Sequence, residues 1–364
     1  MKKLSMLVIV LMLTTGMFTV LGCGGGGGGG GEISLNESVN YSGKTLPAVI
    51  DTTSAVQFAL DATIGTKDAD GYGGGMAGIF LGDVGSGVAG GQSGLDLARN
   101  PGRAINFARG FMDSVGSVQT GEPVQSLGVS AEPASVEPLG VQCQSALMGT
   151  GSDGGTASIK VCAEQASGTL IRTSITMIYD QYDNGALGYL DGELEVQGTI
   201  DSAIEDGDFI GPVAVIFRDL VTIMLGENSY VDGWAIYTEG ANTVSLNYNM
   251  CVIDSLSGKA FWMDDYTITI DHVNDQVTLS GTFYDSVEGY VDLTTETVLS
   301  WDVDLDVSGE LLWNDPNPTA GTVKLTGANG YWISITFSPT GYYVDINYTG
   351  GDDIVDVTIG EILW

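Results

Sequence analysis

The chain is poor in histidine, cysteine, proline and positive charge: one His, four Cys, nine Pro and only 12 Lys+Arg against 46 Asp+Glu in 364 residues. So few bases exclude a nucleic-acid binder, because affinity for a phosphate backbone comes from clustered Lys and Arg. The single histidine, His272, leaves no His-rich metal site, and any nucleophile–histidine–acid triad would have to be built around it. There is also no G-x-S-x-G elbow and no C-x-x-C pair. The chain is therefore expected to be non-enzymatic and to require no cofactor. Glycine, by contrast, is abundant at 54 residues, about twice the usual ~7%.

At the N-terminus, Lys2 and Lys3 precede an apolar run from Leu4 to Leu13, then Thr14, Thr15 and Gly16 before Val20, Leu21 and Gly22. A basic start, a short apolar stretch and small residues before a cleavage point make a secretory signal that is short for a membrane span. Val20-Leu21-Gly22-Cys23 resembles the lipobox of bacterial lipoproteins. The resemblance covers the first 23 residues and implies a signal peptide over 1–22, acyl chains on Cys23 and attachment to a membrane through them. Gly24, rather than Asp, follows the cysteine, which in that family implies the outer membrane of the cell envelope. Acyl chains burying methylenes at ~0.8 kcal/mol each suffice for stable anchoring. Removal of Lys2 and Lys3 leaves 46 acids against 10 bases, a formal charge of −36.

Behind Cys23, eight consecutive glycines, Gly24 to Gly31, make a tether over 23–31. Residues 32–115 read as a mixed region with two short helices and a glycine-rich loop. The first helix is expected over Thr52 to Ala62, where hydroxyl caps precede Val56, Phe58, Ala59 and Leu60. Tyr41 to Ile50 resembles the starts of other uncharacterised exported lipoproteins and brings no function with it. The loop, Lys67 to Gly94, holds 11 glycines in 28 residues. The second helix follows Pro101, with Ile105, Ala108, Phe111, Met112 and Val115 at helical steps. Arg99, Arg103 and Arg109 beside it read as partners for the protein's own carboxylates. Residues 116–142, with Pro123, Pro133 and Pro138 and no base, read as a linker.

From 143 to 364 the pattern changes to period two. Ile171, Thr173, Ile175 and Met177 share one parity, as do Leu194, Val196 and Ile200, then Val244 to Val252, Ile333 to Phe337 and Val344 to Tyr348. Asn184-Gly185, Asp191-Gly192, Asp206-Gly207, Asp232-Gly233 and Gly350-Gly351 read as the turns between antiparallel strands. The longest alternation, Val291 to Val307, exceeds a usual strand, so it must bend or break near Ser300. A phrase recurring at Leu194 to Gly198, Val277 to Gly281 and Val323 to Gly327 reads as a strand ending in a glycine turn.

The fold class is thus mainly β: an antiparallel meander forming a sandwich or curved roll, preceded by a small helical, glycine-rich region. The alternative is an outer-membrane β-barrel with an acidic lumen. Ile362 and Trp364 resemble the aromatic ending of such barrels.

Candidate chemistry is sparse. Gly149 to Gly154 matches G-x-G-x-x-G, but a β-prone run follows it, so it reads as a turn. Asp180, Asn184 and Asp191 occupy the first, fifth and twelfth positions of an EF-hand-like spacing, with Tyr182 where an oxygen ligand belongs. Asp302, Asp304 and Asp306 place carboxylates on one strand face; these two sets are the calcium candidates. Cys143 and Cys162, 19 apart in an exported chain, are a candidate disulfide, leaving Cys251 unpaired and buried. The six tryptophans, all in the β half, read as core packing, with sugar stacking the alternative. His272 is expected in an exposed hairpin turn. The functional expectation is a lipid-anchored cell-envelope protein with a binding or structural role toward an envelope protein or glycan. The alternatives are a calcium-dependent or glycan-binding adhesion module and, further off, a polysaccharide-acting enzyme.

Overall fold

The structure is a computed structural model; it describes residues 35, 39–63, 66–67, 73–74, 141–183, 189–201, 209–224, 227–254, 258–305, 311–313, 317–349 and 354–363. A helix α1 (Ala55–Thr63) and a two-stranded ribbon of β1 (Thr66–Lys67) and β2 (Gly73–Gly74) precede the β region. The strands then run β3 (Gln142–Thr150), β4 (Gly154–Ser167), β5 (Leu170–Asp183), β6 (Tyr189–Asp201), β7 (Phe209–Met224), β8 (Glu227–Glu239) and β9 (Thr243–Asp254). They continue through β10 (Ala260–Asp271), β11 (Gln276–Asp285), β12 (Gly289–Ser300), β13 (Val303–Leu305), β14 (Leu311–Trp313), β15 (Ala320–Thr326), β16 (Trp332–Ser338), β17 (Gly341–Asn347) and β18 (Val357–Leu363). Fourteen of them, all but β1, β2, β13 and β14, form one sheet in strict chain order. Every neighbouring pair is antiparallel.

The mainly-β meander expected from alternation is thus present as one continuous sheet. Its apolar rows are buried across its width, from Ile175 on β5 through Phe217, Met250, Ile268 and Leu293 to Ile346 on β17. These rows belong to a single core, as in a roll that curls around its own apolar face. The opposite face is mostly polar, as at Ser245, Asn247, Thr267, Thr269 and Asp292, with Ala214, Ile216 and Cys251 buried on it. A lipid-facing barrel needs the reverse, with apolar side chains outermost. Among the described residues, moreover, β3 and β18 remain the two edges and the sheet does not close. The outer-membrane barrel with an acidic lumen is therefore set aside. Trp364 lies outside the described residues. No helix among the described residues is long and apolar enough to cross a membrane.

The long alternation breaks where length demanded it: β12 ends at Ser300, Trp301 is buried, and β13 starts at Val303, pairing with β14 as a side hairpin. The glycines are more often mid-strand than expected. Asp191-Gly192 and Asp232-Gly233 are not turns but lie inside β6 and β8. Of the recurring phrases, only Gly327 follows a strand end; Gly198 and Gly281 sit inside β6 and β11. The reason is visible at two places. Gly192 (φ 105°) faces a bulge at Asp219 on β7, and Gly281 (φ 132°) faces one at Asp265 on β10; both bulge residues have positive φ. A Cβ on Gly281 would lie 2.5 Å from the Tyr266 backbone. Bulge-and-glycine pairs increase local twist, and long strands use them to curve.

Asp51 starts α1: its Oδ1 accepts the N–H groups of Thr53 (2.7 Å) and Ser54 (3.0 Å). The carboxyl is held below its usual value by those N–H groups. Phe58, Ala59 and Ala62 are buried, with the Phe58 ring 6.2 Å from that of Phe283. The Tyr266 hydroxyl, on β10, donates to the Ala62 carbonyl at 3.2 Å. Residues 55–63 therefore share the core of the sheet. The second helix, the three arginines, the tether and nearly all of the 116–142 linker lie outside the described residues.

Candidate binding surface

A strap, residues 39–48, starts on the polar face and crosses the rim into the core. The Asn40 N–H donates to Asp232 Oδ2 at 2.7 Å, and Lys44 N–H donates to Ser286 O in the turn joining β11 to β12. Lys44 Nζ donates to Glu288 O at 2.9 Å. Pro47 then forms a bridge to Tyr290: Tyr290 N–H donates to Leu46 O, Ala48 N–H donates to Tyr290 O, and Ala328 N–H donates to Ala48 O. The turn beneath is held by Asp285, a fully buried carboxylate. It accepts Lys259 Nζ (2.8 Å) and the N–H groups of Val287 (2.7 Å) and Glu288 (3.2 Å). Such a buried charge is tolerable because each of its oxygens is answered.

Beside the strap, the polar face carries a row of aromatic rings. Register places Trp262 (β10) opposite Tyr284 (β11), and Tyr284 opposite Tyr290 (β12). Ring centroids are 4.3 Å apart for Trp262–Tyr284 and 5.2 Å for Tyr284–Tyr290. Tyr41 of the strap closes one end, 5.5 Å from Trp262 and 5.9 Å from Tyr284. The indole N–H of Trp262 donates to Asn249 Oδ1 at 2.9 Å, which fixes the ring. All four rings are half-exposed. Thr282, Asp264 and the exposed Asp292 follow on the same face, Thr282 donating to Asp292 Oδ1 at 2.9 Å. Burial, then Asp264, Tyr290 and Asp292, push the Tyr284 hydroxyl pKa up. Burial, then Asp265, raise that of Asp264. Trp234 and Tyr230, half-exposed on β8, extend the aromatic character sideways.

Cys251 lies under this surface, opposite both Trp262 and Asp232 in register, and is fully buried. Burial first and Asp232 second push its thiol pKa up to about 12, so it stays protonated and unreactive at neutral pH.

The other candidate residues are dispersed. Cys143 and Cys162 face each other across β3 and β4 and form a disulfide. Asp180 lies on β5 and Asp191 on β6, where Asp191 Oδ1 accepts the Gln181 N–H at 3.1 Å. Asn184 and Asp306 lie outside the described residues, as does the side chain of Asp304, while Asp302 is exposed. Among the described residues, no three acidic, His or Cys side chains group as metal ligands. Gly149 to Gly154 joins two strands, with no helix to receive a phosphate. His272 is in the β10–β11 turn as expected, but half-buried, its Nε2 enclosed without a hydrogen-bond partner. The tryptophans divide: Trp301 packs in the core, Trp332 is buried on the opposite face with Lys324 Nζ 4.7 Å from its ring, and Trp234 and Trp262 stand half-exposed on that polar face. Cys23 lies outside the described residues. No protein-family profile, curated protein or solved structure matches this chain.

Proposed function

We propose that the chain is a non-enzymatic cell-envelope protein, anchored at the outer membrane by acyl chains on Cys23, whose polar sheet face presents a binding surface to the envelope. The observation that carries the binding role is the aromatic row on a face otherwise largely polar. Aromatic side chains grouped and left half-exposed on a surface are the kind of patch that marks an interaction site.

Growing cells with an alkyne-tagged palmitate and fractionating their membranes tests the anchor. Label should enter the wild-type protein and vanish in Cys23→Ser, which should leave the membrane fraction. An unlabelled wild type, or a Cys23→Ser chain that still sediments with membranes, would overturn the anchoring. Sedimentation of the detergent-extracted protein with washed, protein-free envelope material tests the binding surface. No co-sedimentation would remove it.

A further inference from the structure

The polar face holds together aromatic rings, hydrogen-bonding carboxylates and a strong charge of one sign. Resting on the binding role above, we propose that Trp262, Tyr284 and Tyr290, with Asp264, Thr282 and Asp292 beside them, form a binding site for an uncharged saccharide chain.

Three features select that chemistry. A pyranose ring has a face of C–H groups, which packs against the electron-rich side of an aromatic ring, and a rim of hydroxyls that need acceptors. The row supplies the rings, on three adjacent strands and in register. Asp292, exposed at the row's edge, and Asp264 across Thr282 supply acceptors on the same face. Neighbouring strands lie ~4.8 Å apart, so the row itself spans ~10 Å from β10 to β12, and Trp234 on β8 stands ~10 Å further along the same face, beyond Asn249 of β9.

The rings are also held in advance. Trp262 is fixed by its indole hydrogen bond to Asn249, and Tyr284 is packed between the rings of Trp262 and Tyr290, so little freedom of these two side chains is lost on binding. The charge then chooses among saccharides. A formal −34 over the chain, with two carboxylates in the site itself, repels uronic acids and sulfated sugars. It leaves neutral and N-acetylated chains as ligands. Packing of Tyr41 against Trp262 and Tyr284 does not account for the row, because Tyr290 lies beyond Tyr284 from it and all four rings retain solvent exposure.

The test is titration of the full-length, detergent-extracted protein with cellohexaose, chitohexaose and hexagalacturonate, read by calorimetry and by tryptophan emission. At least one of the two uncharged hexasaccharides should bind and the polyuronate should not. Trp262→Ala and Tyr284→Ala should weaken binding at least tenfold, and Tyr343→Ala, on another part of the polar face, should leave it unchanged. Asp292→Asn alters an exposed side chain without removing a ring, so it should fold normally and weaken binding severalfold even where a ring variant fails to fold. Binding of neither uncharged hexasaccharide, binding of the polyuronate alone, or full affinity in Trp262→Ala and Asp292→Asn would each overturn the proposal. Zwitterionic phosphatidylcholine vesicles serve as the competing probe. Vesicle binding lost in Trp262→Ala, with no saccharide binding, would make the row a membrane-interface contact instead. If envelope co-sedimentation persists in Trp262→Ala, the binding role stands while the saccharide site falls.

Discussion

The Asn40 backbone N–H donates to the Asp232 carboxylate at 2.7 Å across a sequence separation of 192 residues. That carboxylate also accepts the Asp219 N–H at 3.2 Å, so one buried side chain both latches the strap and holds the bulge on β7. Both donors lie in irregular backbone, where no ladder partner is available to take its place.

Asp232→Ala should therefore unlatch the strap at a cost of about 1–3 kcal/mol for the donors left without an acceptor. Because Cys251 lies opposite Asp232 and its thiol is raised to about 12 mainly by burial, its alkylation by iodoacetamide should become about tenfold faster or more as local opening becomes easier. A labelling rate equal to that of the wild type would show that the strap does not guard the thiol.

Asp51 gives a pH-dependent contribution with a definite sign. Its carboxyl titrates below the ordinary 3.8 because the Ser54 and Thr53 N–H groups stabilise the anion. The folded pKa is below the unfolded one, so the contribution is fully present above the unfolded value and lost as pH falls through the depressed native value. Asp51→Asn keeps an acceptor but not the charge. The wild-type advantage in urea midpoint should be largest near neutrality and vanish in acid; a gap independent of pH would rule out the carboxylate.

Gly281→Ala should be far costlier than Gly211→Ala. Both have positive φ, 132° and 72°, but the added Cβ at 281 meets the Tyr266 backbone at 2.5 Å while that at 211 meets nothing within 4 Å. The φ strain alone is about 1–3 kcal/mol, so Gly211→Ala should show roughly that, and Gly281→Ala should exceed it by displacing the β10 bulge. Equal thermal midpoints for the two variants would mean that the bulge moves freely.

The disulfide ties the edge strand β3 to β4 across a sequence separation of 19. Replacing both with Ser should cost about 3 kcal/mol in the loop-closure picture. An edge strand has a neighbour on one side only, so the loss should appear first as faster amide exchange in Gln142–Thr150, before the central strands respond. Unchanged exchange there would place the bond's contribution elsewhere.

Alternation carried most of the fold. Ile171 to Met177 and Val244 to Val252 are buried in the expected parity, because a half-buried strand writes its register into its side chains. The binding surface was harder to read. Trp262 sits in Ala260-Phe261-Trp262-Met263, an unbroken apolar run with no visible parity, and the bulge at Asp265 then shifts the phase before Tyr266. Asp232-Gly233 has turn composition, but its glycine meets the Asn249 carbonyl and its aspartate a residue 192 positions away. Local patterns do not encode a partner at that distance. The strap was illegible for the same reason: Tyr41 has no local role and acquires one only beside Trp262 and Tyr284.

The strictly sequential meander sets the timetable of synthesis. Each strand of the sheet pairs with the sheet strand made before it, with only the β13–β14 hairpin set aside between β12 and β15, so contacts are mostly short-range and can form as successive strands emerge. The strap and α1 are the exception, made first and completed last. Their partners Asp232, Tyr266, Phe283, Tyr290 and Ala328 emerge some 190–280 residues later, on the order of ten seconds or more at ordinary elongation rates. A helix of nine residues cannot persist alone in water. Phe58 and Leu60 therefore wait, unshielded, until the C-terminal strands arrive, and that interval is when the nascent chain is most exposed to aggregation.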